Sequence, residues 1–130
     1  MEHREGLPKS QRLYLKNDIN ALFEEGKGFN AYPFRVVVHT HEAETPDAAM
    51  PRILVSVSKK RFHHAVKRNR VKRLVRESWR RHKGGLMKIC NKNNKTIDIA
   101  FVYTATCILT YHEIESKMAG ITKRLEGKIC

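Results

Sequence analysis

A block of positive charge in the middle of the chain constrains its fold and its partners more than any other feature. Residues 52–97 hold 16 Lys and Arg but one acid, Glu77. The residues before the block hold 6 basic and 8 acidic side chains, and those after it hold 4 of each, so the net charge of +13 belongs to the block. Such a density opposes compaction, and a polyanionic partner relieves it. The distribution indicates one binding face, with nucleic acid as the first candidate partner and an acidic membrane surface as the second.

The remaining composition is that of one ordinary domain. A hydrophobic fraction of 41% in 130 residues suffices for a single core, so we expect one domain over residues 1–130, with residues 1–10 as a flexible tail. Cys90, Cys107 and Cys130 form an odd, widely spaced set, which is typical of ordinary thiols in a reducing compartment. The chain starts without an apolar signal segment and has no apolar run near the ~18 residues that cross a bilayer. We therefore expect a cytoplasmic protein.

Apolar periodicity predicts both strands and helices. The predicted strands cover residues 34–40, 52–57 and 97–103, and the last of them alternates as a strand with one buried face does. The predicted helices are a short one through Ile19, Leu22 and Phe23, a long one over residues 64–83, and a last one through Ile114, Met118, Ile121 and Leu125. This order predicts an α+β fold in which helices pack on a mainly antiparallel or mixed sheet, a two-layer α/β sandwich. A third strand before the long helix would arise if the first extended run were broken.

Turn and capping signals set the expected ends of these elements. Asn17-Asp18 predicts the cap of the first helix and Gly26 its stop. Gly84-Gly85 predicts the end of the long helix. Thr110 with Glu113 forms a capping box that opens the last helix. Two stretches are predicted to be loops, residues 41–51 and residues 88–95.

The long helix is the candidate binding element. At ~100° per residue its apolar stripe faces the sheet and its basic residues lie opposite. The stripe contains Val71, Leu74, Val75 and Ser78, with Trp79 at its edge. The opposite side contains Asn69, Lys72, Arg73, Arg76, Arg80 and Lys83, with Arg68 and Arg70 at the boundary. Lys59, Lys60 and Arg61 extend the basic patch before the helix.

Three readings of this basic face are open: a solvated face, a membrane surface, and a nucleic-acid interface. A solvated face would need acids for i,i+4 pairing, and Glu77 is alone among about a dozen bases. A membrane-bound helix would need its apolar stripe free, but the core requires that stripe. A DNA-binding helix-turn-helix would need a helix before it, where a strand is predicted. Contacts to an RNA backbone fit best, so we expect RNA as partner and neither DNA nor a membrane.

The run SVSKKRFHHAVKRNRVKRLVRESWR at residues 56–80 resembles the bacterial ribonuclease P protein subunit. The Arg-Asn-Arg core followed by an apolar residue and Lys-Arg-Leu is that family's signature. The similarity extends to residues 12–13, 18–23 and 111–114, and so spans nearly the whole chain. The resemblance implies the order α-β-β-β-α-β-α with a left-handed β-α-β crossover, as in the ribosomal protein S5 domain 2-like fold. It also implies a non-catalytic subunit of an endoribonuclease that removes the 5′ leader of precursor tRNA.

In such enzymes a structured RNA is the catalyst. The resemblance therefore implies that the protein holds no cofactor of its own and that the ribonucleoprotein as a whole requires Mg²⁺. It implies that the signature helix and the turn before it bind the catalytic RNA. Carried over, these positions are Lys59, Lys60, Arg61, Arg68, Asn69, Arg70, Lys72, Arg73, Arg76 and Arg80.

The same resemblance implies a cleft for the 5′ leader between the signature helix and the sheet. Its expected residues are Ile19, Phe23, Phe34 and Val37. On spacing alone Phe23 is a core residue, and only the resemblance moves it toward the cleft. Aromatic residues are frequent in the family at the positions of Ile19 and Val37, which indicates weaker stacking here, where one lost stack is worth ~1–3 kcal/mol. His63-His64 also departs from the family's usual Gly, Asn or Arg in the turn before the helix.

Other side chains suggest less. His39 and His41 share one strand face and could bind a metal, but no Cys or carboxylate is spaced in the sequence to complete a site, so none is expected. No nucleophile–base arrangement is visible. Two alternative functions stay open: a ribosomal or general RNA-chaperone protein, and a protein-only nuclease that uses His63 and His64 as acid and base.

Overall fold

Four strands and four helices form over residues 9–129, the part of the chain that the computed structural model describes. The strands are β1 (Lys27–Ala31), β2 (Phe34–Glu42), β3 (Pro51–Val57) and β4 (Lys95–Tyr103). The helices are α1 (Lys16–Glu25), α2 (Ala65–His82), α3 (Gly84–Asn93) and α4 (Tyr111–Ile129). Short 3-10 turns occupy Lys9–Gln11 and Pro46–Ala48. The tail expected over residues 1–10 lies outside the described residues, apart from Lys9 and Ser10 in the first turn.

The strands form one sheet in the order β1-β2-β4-β3. The pairs β1–β2 and β2–β4 are antiparallel, and β3–β4 is parallel with Ile53 opposite Ile99. Two parallel neighbours need a crossover connection, and α2 and α3 provide it. The predicted α+β order is confirmed, with α3 added between the long helix and the last strand.

Helices cover both faces of this sheet. Alternate residues of β2 and β4 point to opposite sides, so Val36 and Ile99 lie in the main core while Val37 and Ala100 lie in a smaller cluster. The main core is formed with α2, α3 and α4, which is the predicted two-layer sandwich. The smaller cluster includes Leu22 of α1, which therefore covers the other face. The strand β4 is accordingly buried on both faces, and the expectation of one buried face was wrong.

The third strand before the long helix is β1, which precedes the first predicted strand rather than splitting it. Its sequence, KGFNA, shows no apolar alternation because it is a mostly exposed edge strand. It follows α1 directly, since Gly26 ends the helix and donates its N–H to the Leu22 carbonyl at 2.8 Å. A Cβ on Gly26 would lie 2.3 Å from that oxygen, so glycine is required there by close approach. The predicted Gly26 stop is confirmed.

The other predicted caps have mixed outcomes. Leu15 precedes α1 without a side-chain cap, so the Asn17-Asp18 cap is wrong; Asp18 instead pairs with Arg52. The capping box of α4 is confirmed. Glu113 Oε1 accepts the Thr110 N–H at 2.9 Å, and the Glu113 N–H donates to Thr110 Oγ1 at 3.2 Å. Hydrogen bonds from the Thr110 N–H and hydroxyl to this carboxylate lower the pKa of the Glu113 carboxyl.

The loop predicted over residues 88–95 is wrong, because α3 begins at Gly84 and runs to Asn93. This helix is stabilised by burial of Leu86 and Cys90 in the main core. Burial raises the pKa of the Cys90 thiol to about 11, so it stays protonated at neutral pH. The residue that ends the helix is Asn94, in the left-handed region with φ 55°.

We predict that Asn94→Ala lowers the free energy of unfolding by about 1 kcal/mol, because a Cβ without a compensating amide is strained in the left-handed region. Asn94→Gly should preserve stability or raise it slightly. Urea denaturation measures both. Asn91→Ala, at an exposed position of α3, is the control and should be near neutral. Equal losses in the Ala and Gly variants would contradict the role assigned to the backbone here.

Candidate RNA interface

The amphipathic pattern of α2 is confirmed. Val71, Val75, Ser78 and Trp79 are completely buried, and Leu74 packs at the edge of the main core. On the other side, most of the predicted contact residues are exposed, namely Asn69, Arg70, Arg73, Arg76 and Arg80. Lys59, Lys60 and Arg61, in the turn before the helix, are exposed as well. Packing of the apolar stripe therefore directs the basic side chains outward.

Most of the positive charge of the basic patch has no carboxylate partner among residues 9–129. Glu77 pairs with Arg80 at 2.6 Å, and the hydrogen bond from Arg80 lowers the pKa of the Glu77 carboxyl. Glu115 pairs with Arg81 and His82. No carboxylate of residues 9–129 pairs with the remaining cations of the patch, which are Lys59, Lys60, Arg61, Lys67, Arg70, Lys72, Arg73 and Arg76. The patch is thus free to bind phosphate.

Arg68 has a different position from the other signature residues. Its Nη1 donates to the Phe62 carbonyl at 2.8 Å and to the His63 carbonyl at 2.9 Å. Arg68 thereby fixes the turn that leads into α2, next to Phe62 in the main core. The sequence pattern placed Arg68 at the boundary of the basic face, but it contained no sign of this contact to two carbonyl groups.

Lys83 also departs from the predicted outward face. Its Nζ donates to Gln11 Oε1. Burial, followed by the neighbouring Arg80 charge, lowers the pKa of its ammonium group. Lys83 therefore connects the end of α2 to the N-terminal segment, and it contributes less to an outward-facing patch than the arginines before it.

A groove of about 500 Å³ lies beside α2. The segment around Arg12 forms one wall because it pairs with β3, where the Leu13 N–H donates to the Ile53 carbonyl at 2.8 Å. The residues that line the groove are Arg12, Leu13, Tyr14, Ile19, Ile53, Leu54, Val55, Lys72 and Arg76. Burial, followed by the Arg12 charge, lowers the pKa of the Arg76 guanidinium. Arg12, Lys72 and Arg76 thus bring three positive charges to a groove whose other lining residues are mainly apolar.

The four predicted cleft residues do not lie together. Ile19 lines the groove, and Phe23 is 47% exposed on α1. Val37 is buried beneath α1 with Leu22. Phe34 points to the opposite face, where its ring packs edge-on against Phe101 in the main core. Assigning Phe34 to the cleft was therefore wrong, since strand alternation separates it from Val37.

Two groove residues were missed by the sequence reasoning. Arg12 was noted only as part of the family resemblance, and Tyr14 was not singled out. Tyr14 is 55% exposed in the groove, so it supplies an aromatic surface near Ile19. An exposed Tyr two residues after Arg12, before a helix start, is the only sign that the sequence gives.

The histidines before α2 do not form a catalytic arrangement. His63 and His64 are both exposed. Neither imidazole has a hydrogen-bond or ion-pair partner among residues 9–129. General acid–base catalysis needs groups that are oriented and tuned by neighbours, and that support is lacking here. No described helix is long and apolar enough to span a membrane.

The fold is α+β, and its basic helix faces outward beside a largely apolar groove. Together these features define an RNA-binding protein. The model of the Ribonuclease P family matches residues 7–126, and the chain belongs to this family. The ribonuclease P protein component of Porphyromonas gingivalis is 43% identical over 124 residues, which is 95% of this chain and 89% of that protein. The chain is thus part of the ribonuclease P holoenzyme, an endoribonuclease; it functions with the ribonuclease P RNA and assists 5′-leader processing of tRNA.

Solved structures share the fold. The ribonuclease P protein of Thermotoga maritima, in complex with 1-(4-fluorophenyl)-2-thiourea, has a TM-score of 0.68 at 26% identity and covers 87% of this chain and 98% of that one. The Staphylococcus aureus protein has a TM-score of 0.66 at 23% identity and covers 93% and 98%. The overall fold is therefore that of the family's solved structures.

We predict that Arg68→Lys lowers the free energy of unfolding by about 1–2 kcal/mol, because an ammonium group keeps the charge but cannot reproduce the two carbonyl contacts. Arg70→Lys, on the exposed side of the same helix, should change stability by less than about 0.5 kcal/mol. Urea denaturation compares the two. If both variants were equally stable, the clamp on the turn would have no energetic role.

Proposed function

We propose that the chain binds the ribonuclease P RNA through α2 and holds the 5′ leader of precursor tRNA in the adjacent groove. The catalytic RNA, with Mg²⁺, performs the cleavage. The observation that carries this proposal is the basic face of α2, where most cations have no carboxylate partner among residues 9–129, beside a groove lined by basic and apolar side chains. The basic face of α2 suits the ribonuclease P RNA, and the groove suits the 5′ leader.

Docking on the catalytic RNA uses the exposed residues of the patch. Successive turns of a helix are 5.4 Å apart, close to the ~6 Å spacing of phosphates along a strand. Arginine presents forked donors to phosphate oxygens and stacks on bases, which favours it over lysine for structured RNA. The proposed contacts are Lys59, Lys60, Arg61, Asn69, Arg70, Lys72, Arg73, Arg76 and Arg80. Arg68 supports them by fixing the turn.

Leader binding uses the groove. Single-stranded RNA binds where cations follow the backbone and aromatic or apolar groups receive the bases. Arg12, Lys72 and Arg76 provide the cations, while Tyr14 and Ile19 provide the surface for bases. Phe23 on α1 lies close in sequence to Ile19 and extends the exposed surface of that helix. Because these contacts do not depend on base edges, the proposed groove accepts leaders of varied sequence.

Catalysis is assigned to the RNA because His63 and His64, the histidines next to the basic face, have no orienting partner among residues 9–129. DNA is not a proposed partner, since α2 follows a strand and lacks the preceding helix of a helix-turn-helix. Precursor tRNA is the proposed substrate of the complex.

We expect the purified chain alone to leave precursor tRNA intact. With the ribonuclease P RNA it should support cleavage at a lower Mg²⁺ concentration than the RNA alone needs. Its cations replace part of the Mg²⁺ that screens the RNA phosphates. A gel of precursor tRNA with chain, RNA and both together tests this. Cleavage by the chain alone that His63→Ala with His64→Ala abolishes would establish the protein-only nuclease instead. Equal binding to unrelated RNAs, without preference for precursor over mature tRNA, would indicate a general RNA chaperone.

We predict that Arg73→Ala weakens binding to the ribonuclease P RNA and makes the plot of log K against log[salt] less steep by about 1, as expected for one lost phosphate contact. Lys123→Ala removes an exposed charge from α4 and is the matched control. Filter binding over a series of KCl concentrations measures both slopes. Identical slopes for the two variants would mean that net charge, rather than the α2 face, governs docking.

We predict that Tyr14→Ala weakens holoenzyme binding to precursor tRNA by about 1–3 kcal/mol, the range for one lost stack of a base on an aromatic ring. Binding to mature tRNA, which has no leader, should be unchanged. The control is Tyr32→Ala, because Tyr32 is 58% exposed in the turn between β1 and β2, away from the groove residues. Fluorescence titration with both tRNAs measures the difference. Parallel losses for precursor and mature tRNA would place Tyr14 outside the leader site.

A further inference from the structure

Imidazole and carboxylate groups meet on the α1 side of the sheet. The strand register places His39 directly opposite Asp98, and His41 opposite Thr96. His39, His41 and Asp98 have the same parity as Val37 and Ala100, so they point to the face that α1 covers. The sequence has no carboxylate spaced to share a strand face with the two histidines, but the fold brings one from 57 residues away.

The distances suit a shared ligand. His41 Nε2 lies 3.1 Å from Asp98 Oδ2, and His39 Nε2 lies 3.4 Å from Glu25 Oε1 at the end of α1. One ligand atom from each of His39, His41 and Asp98 lies within 4.8 Å of the others. Around a tetrahedral ion with bonds of about 2.0–2.1 Å, neighbouring ligand atoms are about 3.3 Å apart. Two pairs already have that separation, and rotation of the imidazoles, whose centroids are 5.3 Å apart, closes the rest.

The charges around the cluster also favour a cation. Asp98 is buried, with its side chain 3% exposed, and Arg52 donates from Nε to its Oδ1 at 2.8 Å and from Nη2 to its Oδ2 at 3.0 Å. Arg52 also contacts Asp18 at 3.3 Å. Asp18 and Asp98 both contact the Arg52 guanidinium, and Glu25 lies beside His39, so the cluster holds three carboxylates and one guanidinium, which leaves two negative charges in excess. The two Arg52 bonds can orient the carboxylate as supporting contacts, and Oδ2, which accepts one of them, also faces His41.

The geometry points to a divalent transition-metal site, with His39, His41 and Asp98 as ligands and Glu25 as the fourth. Two imidazoles with carboxylates select Zn²⁺ or a similar ion, whereas Mg²⁺ and Ca²⁺ prefer oxygen ligands alone. The site is therefore separate from the Mg²⁺ requirement of the ribonucleoprotein. A bound ion would join the C-terminal turn of α1 to β2 and β4, and so hold against the sheet the helix that carries Ile19 and Phe23.

The test is a titration of the untagged full chain with Co²⁺, followed by displacement with Zn²⁺. We expect one saturable equivalent with the visible absorption of tetrahedral Co²⁺, and a rise of the melting temperature with Zn²⁺. Loss of a supporting residue typically weakens metal binding about 10–100-fold, so His39→Ala and His41→Ala should each weaken it at least about tenfold. Both positions are partly exposed, and circular dichroism checks that the variants fold.

Two control variants each remove another side chain that could bind the metal ion. His112→Ala deletes an exposed imidazole on α4, and Cys107→Ser deletes an exposed thiol. Both should bind Co²⁺ as the unsubstituted chain does. The proposal is overturned if the chain shows no saturable Co²⁺ absorption, or if affinity is unchanged in folded His39→Ala and His41→Ala. It is also overturned if Cys107→Ser alone abolishes binding.

Discussion

The structure depends on α2, where burial of apolar side chains is opposed by repulsion between neighbouring cations. Complete burial of an apolar side chain such as Val or Leu contributes roughly 1.5–3 kcal/mol, and Val71, Val75 and Trp79 are all fully buried. Repulsion between neighbouring exposed cations is screened by water and salt to roughly 1 kcal/mol or less per pair. Burial therefore outweighs repulsion, and the helix is held on the sheet with its charges outward. In the proposed complex, the RNA would meet a preformed surface and would not have to order it.

The groove follows from the same arrangement. Because α2 lies beside the edge strand β3, and the chain around Arg12 pairs with that strand, cations from two distant segments come together. The apolar surroundings come from β3 and α1, elements that have little net charge of their own. In the proposed leader site, backbone phosphates and bases would therefore contact different parts of the fold. A substitution on α1 can alter one kind of contact while leaving the other intact.

Structural features that follow from the spacing of neighbouring residues could be predicted from the sequence. Features that depend on contacts between distant residues could not. The apolar stripe of α2 and the Thr110–Glu113 capping box follow from spacing alone. The strand β1 was hidden because an exposed edge strand needs no apolar alternation. The helix α3 was missed because Gly84, which follows the end of α2 as predicted, also begins a new helix. The position of Phe34 depended on which strand face α1 covers. The meeting of Asp98 with His41, and the contact of Arg68 with two carbonyls, depend on register and turn geometry that one sequence does not reveal.

The position of β4 between β2 and β3 has a consequence for synthesis. On the ribosome, β3 emerges long before its strand partner, since β4 starts 38 residues after β3 ends. Until residue 103 is available, the apolar faces of β3 and α2 have no central strand to pack against. The basic helix is then a free polycation in a cell full of nucleic acid. Before the sheet is complete, the basic helix attracts RNA without selectivity. Once β4 is in place, the same charges form a defined surface.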